Sequence, residues 1–173
     1  EGRIISIQDR VNECFVRSLN GKPLPPSGSD MRDIVSYLSW LSRKPISDSE
    51  KKNLGFKIVS TKTAPNFTNG VQMYLKQCAS CHGVGGTGVM SGDHKIMYPP
   101  LWGEHSFNIG AGMARLNNAT SFIKWNMPLG QGGGLKDQDA KNIAAYVIQQ
   151  PRPDFKNKKK DWPKDNKPVD ARY

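Results

Sequence analysis

Cys78-Ala79-Ser80-Cys81-His82 is the stretch that decides how the rest of this chain is read. On one helical turn, two thiols three residues apart reach the two vinyl groups along one edge of a porphyrin. The adjacent histidine then falls beneath the iron, which is the c-type haem attachment pattern. Two thioethers would anchor one haem c, and His82 would give the proximal nitrogen. Zinc is the alternative, because two Cys and a His make three of its four usual ligands. A zinc site of that kind usually brings a second Cys pair, however, and the chain has only one further cysteine, Cys14. Covalent haem attachment takes place outside the cytoplasm, so the expected compartment is the periplasm or an equivalent exported space.

Downstream of the motif the sixth-ligand candidates are Met90, His94, Met97, His105, Met113 and Met127. Small c-type cytochromes place a distal Met in a loop just before the final helix, often followed by Pro. Met127-Pro128 meets both conditions, 45 residues after His82. A thioether is a soft, neutral ligand that favours ferrous iron and raises the potential. Met113, in Gly110-Ala111-Gly112-Met113, is the second candidate. Asn126, beside Met127, either hydrogen-bonds near the haem or closes its helix.

Around this centre the hydrophobic periodicity is helical. Val71, Tyr74, Leu75 and Cys78 predict a helix from about Phe67 into the motif. Further helices are expected over about 116–125 and 136–149, the latter stopped by Pro151 and Pro153. Nearer the N-terminus, Ser6-Ile7-Gln8-Asp9 resembles a capping box, with Val11, Cys14, Phe15 and Leu19 on one face. A second helix from about Ser29 is expected to bury Met31, Ile34, Val35, Leu38 and Leu41. No strand pair stands out, and the Gly- and Pro-rich stretch 83–112 reads as irregular unless a cofactor organises it.

The expected fold class is all-α. A class-I-like cytochrome c domain spans 67–150, preceded by remnant helices of a second cytochrome c-like domain over 1–43 and a linker over 44–66. An extended basic tail, 151–173, follows. Apolar residues make up 36% of the chain, with 17 Gly and 12 Pro, which is lean for a self-sufficient core and fits an interior partly filled by a cofactor. No apolar run is long enough for a membrane-spanning helix. Lys and Arg number 25 against 15 acidic residues, a net charge of +10. That excess points to an anionic partner or to a steering field, but no nucleic-acid-binding signature accompanies it.

Haem attachment leaves Cys14 over. An odd thiol in an exported protein is inert and buried, bound to another chain, or reactive. Arg10 and Ser18 lie four residues to either side, so all three share a helix face. A guanidinium there would favour the thiolate and hold an oxyanion by paired hydrogen bonds. Arg17 falls one residue off that line and reads as solvated.

Several blocks resemble the thiosulfate dehydrogenase (tetrathionate synthase) family of dihaem c-type cytochromes. They are Arg10 to Phe15, Arg17 to Lys22, Tyr98 to Gly103, Ser106 to Asn108, Gly110 to Met113, Asn126 to Gly130, Arg152-Pro153 and Asp161 to Pro163. The resemblance implies interconversion of thiosulfate and tetrathionate. It implies that Cys14 is the distal ligand and nucleophile at a catalytic haem, with Arg10 binding substrate and Ser18 nearby. It also implies that a second haem, held by Cys78, Cys81, His82 and Met127, relays electrons to or from a partner cytochrome. Some members carry a Lys immediately before that Met and exchange ligands on reduction; Asn126 stands there, so no such exchange is expected. The family's first CxxCH is not among these residues, so the catalytic haem, the second of the pair, is expected on a missing N-terminal segment or companion fragment. Two other functions compete. One is a mono-haem periplasmic electron carrier without catalysis of its own, and the other is a sulfur-carrier subunit using Cys14 as a persulfide arm.

Overall fold

The computed structural model describes residues 4–51, 57–93 and 95–173. It is mostly helical, with seven α-helices and one two-stranded hairpin among those residues. Helix α1, Ile7–Glu13, begins at Ser6 with the capping box that the sequence announces: Ser6 Oγ accepts from Asp9 N, and the Asp9 carboxylate accepts from Ser6 N, both at 3.1 Å. It runs directly into a π-helical turn, Cys14–Ser18. Helix α2, Ser29–Leu41, follows a loop held by the Asn12 amide, which donates to Leu24 O at 3.0 Å and accepts from Leu24 N at 2.7 Å.

These two helices bury less than their periodicity promised. Val11 and Met31 are buried, but Leu19 and Leu41 are 65% and 50% exposed. Tyr37 and Trp40 stack on each other at the surface, their rings 5.8 Å apart. An amphipathic stripe marks which residues prefer burial; it does not supply a layer to bury them against.

The core lies among α4 (Phe67–Gln77), α6 (Leu116–Asn126) and α7 (Asp137–Gln149). Tyr74, Trp102, Leu135, Ala140, Ile143 and Val147 form its centre. The lean composition works because small residues let helices close on each other. A Cβ on Gly70 of α4 would sit 2.2 Å from the Asn142 carbonyl oxygen of α7, while Ala140, Ala144 and Ala145 are all buried. Aromatic rings fill the remaining space: Tyr146 meets Phe67, Tyr74 and Trp102 with centroids 5.3–5.6 Å apart. The short helix α5, Ala79–His82, turns off the end of α4.

Two elements depart from expectation. The Gly-rich stretch contains an antiparallel pair, β1 (Val89–Met90) with β2 (Ile96–Tyr98), which is too short and too irregular in register to show alternation in the sequence. The connector contains the four-residue helix α3, Asp48–Lys51, and its later part is pinned across α6 and α7. Val59 N donates to Ser121 Oγ at 3.1 Å, and the Lys141 ammonium donates to the carbonyls of Thr61 and Thr63.

After Pro151 the chain is non-helical except for one short turn, Lys158–Lys160, and it returns along the molecule. Gly103 N donates to Pro151 O and Ile109 N to Pro153 O. Phe155 is buried, and the Arg152 guanidinium lies 4.1 Å over the Phe107 ring. Desolvation, with Arg172 nearby, pushes the Arg152 pKa down to about 10.

Candidate functional site

The candidate residues gather at two places. At the first, Cys78 N-caps α5, and the amides of Cys81 and His82 both donate to its carbonyl. Gly83, at φ +79°, ends the turn where an L side chain would be strained. Its carbonyl accepts the buried Tyr74 hydroxyl at 2.6 Å, and the His82 carbonyl accepts from Gly88 N at 2.9 Å. Cys78 and Cys81 are free thiols and half-buried. Desolvation, reinforced by Cys81, pushes the Cys78 thiol up to about 11.

The imidazole orientation is the informative part. His82 Nδ1 lies 2.9 Å from Pro99 O. A carbonyl only accepts, so Nδ1 carries the proton and Nε2 keeps its lone pair free. This is how a metal-ligating histidine is held by its outer partner. Among the described residues no group of three His, Cys, Asp or Glu side chains is arranged to hold a metal ion. Thioether bonds to a ring edge need no such convergence. The residues fit a covalently held haem.

Met127 is half-buried just past α6, its amide closing the helix on Ile123 O at 3.0 Å. Asn126 is exposed and donates its side-chain amide to Phe122 O, one turn back on its own helix. Met90 and Met97 are exposed on the hairpin, and His105 is exposed in its loop. His94 lies outside the described residues. Met113 belongs to the second centre.

That second centre is a cleft of about 830 Å³. Arg10, Cys14 and Ser18 all line it, as does Met113 on the 109–115 segment. The π-helical turn starts at Cys14, where Leu19 N reaches back five residues to Cys14 O at 3.1 Å. Such single π turns are frequent at functional sites. Leu19 caps it, and Asn20 follows at φ +49°. The buried Asn108 ties the turn to the cytochrome side of the molecule, donating to Val16 O at 2.7 Å and to Asn20 Oδ1 at 3.0 Å. Cys14 itself is exposed. The Arg10 guanidinium pairs with Glu13 at 3.2 Å.

Arg17 is not solvated. It is 17% exposed and makes two 2.8 Å hydrogen bonds to Asp161, whose side chain is 11% exposed. It also stacks 4.2 Å over the Phe155 ring and donates to Gly110 O. The Asp161 hydrogen bonds hold its pKa above the ordinary guanidinium value despite desolvation. Burial opposes ionisation of Asp161, but hydrogen bonds from Arg17 and Tyr173 outweigh it and lower its pKa. Gly110 is required here, since a Cβ would lie 2.7 Å from Phe155. Spacing along a helix could not reveal a partner 144 residues away.

Arg115, Asn118, Arg172 and Tyr173 also line the cleft and were not singled out by any motif. Arg172 donates to the Ile148 and Gln150 carbonyls. The Arg115 guanidinium has no hydrogen-bond or ion-pair partner among the described residues. Four arginines therefore face two carboxylates, Glu13 and Asp161.

Residues 65–147 match the family model described as cytochrome C oxidase, cbb3-type, subunit III. A thiosulfate dehydrogenase of Psychrobacter arcticus is 47% identical over 99% of this chain and 52% of its own length. One from Allochromatium vinosum is 38% identical over 89% of the chain and 57% of its own length. Over most of its length this chain is similar in sequence to those thiosulfate dehydrogenases. Its fold agrees: a solved thiosulfate dehydrogenase (TsdBA) of Marichromatium purpuratum superposes with a TM-score of 0.80 at 33% identity, over 87% of the chain and 34% of that structure. The chain spans about half the length of the curated relatives it matches. Its 65–147 region is a cytochrome c domain, and haem c is the cofactor that family and motif together imply. No helix among the described residues is long and apolar enough to cross a membrane.

Proposed function

We propose that this chain is the portion of a periplasmic thiosulfate–tetrathionate oxidoreductase that holds the relay haem and one wall of the catalytic cleft. The observation that carries the proposal is the convergence of Arg10, Cys14 and Ser18 on one arginine-lined cleft. Two thiosulfates bear four negative charges between them, and their approach in a partly dry site is opposed unless cations offset it. Arg10 and Arg115, the latter without a partner among the described residues, serve that purpose here.

Haem c supplies a one-electron acceptor, and a second haem, on polypeptide outside these 173 residues, completes the catalytic centre. The Cys14 thiolate bonds to the outer sulfur of one thiosulfate, releasing two electrons and leaving a cysteine S-thiosulfonate. The outer sulfur of a second thiosulfate attacks the sulfur that bears the sulfonate. The new S–S bond forms as the Cys14–sulfur bond breaks, giving tetrathionate and the regenerated thiolate. Ser18 is placed to hydrogen-bond a sulfonate oxygen. On the relay side, Cys78 and Cys81 would anchor the haem, and His82, oriented by Pro99, and Met127 would supply its ligands.

Electrons pass on to a partner cytochrome, and the basic surface favours an acidic one. A plain electron carrier would need only the cytochrome c domain. The buried Asn108 instead ties the Cys14 turn to that domain, and the Arg17–Asp161 pair ties it to the tail that follows. Anaerobic addition of thiosulfate to the oxidised, haem-loaded protein tests the proposal. Haem reduction that disappears in Cys14→Ala supports it, and reduction unaffected by that replacement refutes it.

A further inference from the structure

Lys124 is drawn away from solvent at the end of α6, and its side chain is only 12% exposed. Its ammonium donates to Gly133 O at 2.9 Å and to Leu135 O, and it lies 3.3 Å from an Asp137 carboxylate oxygen at the start of α7. In return the Lys124 carbonyl accepts from Gly133 N at 2.8 Å. One residue therefore grips both ends of the 127–136 loop: its entry from α6, on which it sits, and its exit into α7.

The loop is also pressed closely against the helix end. A Cβ on Gly132 would stand 2.1 Å from Trp125 O. Trp125 is itself held, its indole N–H donating to Lys57 O at 2.8 Å. At the loop's tip Gln131 N donates to Pro128 O at 2.8 Å, and Leu129 is 80% exposed.

We infer that Lys124 is a positioning residue for the distal thioether, clamping the 127–136 loop so that Met127 stays at the iron. The inference rests on the assignment of Met127 as distal ligand. Three carbonyl or carboxylate oxygens from beyond Met127 converge on a single ammonium, and hydrogen bonds to a charged donor are the strong ones. Without it, the loop keeps its turn contacts and the backbone bond from Gly133 N to Lys124 O, but loses the charged donor that joins Gly133, Leu135 and Asp137 to α6.

The test uses the haem-loaded protein. Wild type in the ferric state is expected to show the long-wavelength thioether-to-iron charge-transfer band. Lys124→Met keeps the aliphatic stem and removes the donors. It is expected to weaken that band, to lower the reduction potential, and to raise the limiting rate of imidazole binding to ferric haem roughly tenfold. Lys124→Arg is expected to restore much of all three. Should Lys124→Met fail to fold, Lys124→Gln is expected to show the same changes in smaller degree. A folded Lys124→Met or Lys124→Gln with the wild-type band, potential and imidazole rate overturns the clamp and leaves the ligand assignment standing. A wild-type protein without the band, or with a band that survives Met127→Ala, overturns both.

Discussion

His82 and Pro99 are 17 residues apart, yet the imidazole Nδ1 and the Pro99 carbonyl meet at 2.9 Å because Gly88 lets two backbones touch between them. Gly88 has φ +76°, and a Cβ there would lie 2.4 Å from Tyr98 O and 2.7 Å from Pro100 N. Gly88→Ala is therefore expected to cost on the order of 2 kcal/mol of stability and to displace the Pro99 carbonyl. With its outer acceptor lost, the imidazole becomes a poorer donor and the haem potential is expected to rise. Denaturant melts and potentiometry of the variant check both. A wild-type potential in a destabilised protein would show that the contact does not tune the iron.

Cys14→Ser keeps the size of the side chain and removes the thiolate. Thiosulfate and tetrathionate turnover is expected to fall by several orders of magnitude, while the visible spectrum of the His82 haem is unchanged. Steady-state assays alongside spectra separate this from general damage.

Arg115→Gln is expected to raise KM for thiosulfate about tenfold with little change in kcat, since the lost contact is to the charged substrate rather than to the reacting sulfur. Arg115→Lys, which keeps the charge without the paired donors, is expected to fall between the two. An unchanged KM for Arg115→Gln would remove Arg115 from the substrate site without touching Cys14.

Asp161→Asn leaves the partly buried Arg17 without its hydrogen-bonded anion, with Glu13 at 3.9 Å as its remaining carboxylate, and a loss on the order of 2 kcal/mol is expected. The pH dependence follows from the same pair. The Asp161 pKa is lowered in the fold, so its contribution is complete above the unfolded carboxylate value and lost as pH falls through the folded one. Tyr173 shows the opposite edge: desolvation and its hydrogen bond to Asp161 push its pKa up to about 12. Its contribution is present below the unfolded tyrosine value and fades as pH rises towards 12. Unfolding midpoints measured against pH are expected to lose the acid edge in Asp161→Asn and the alkaline edge in Tyr173→Phe.

Local patterns alone marked the haem motif, the capping box at Ser6 and the helices of the core, because each is written in residues less than about one turn apart. The same spacing put Arg10, Cys14 and Ser18 on one face. What lay beyond one element did not show. The hairpin at 89–98 is too short to alternate visibly, and Arg17 looked solvated because Asp161 is 144 residues away. Leu19 and Leu41 looked buried because periodicity reports preference and not the presence of a partner layer.

From the order of residues came the cofactor chemistry, the helical class and the candidate nucleophile, since covalent attachment and helix formation depend on neighbours along the chain. Only the folded chain decided which proton His82 carries, which cations share the cleft with Cys14, and what grips the Met127 loop. Those depend on carbonyls and carboxylates brought together through space, and their energies are set by burial that no single segment contains.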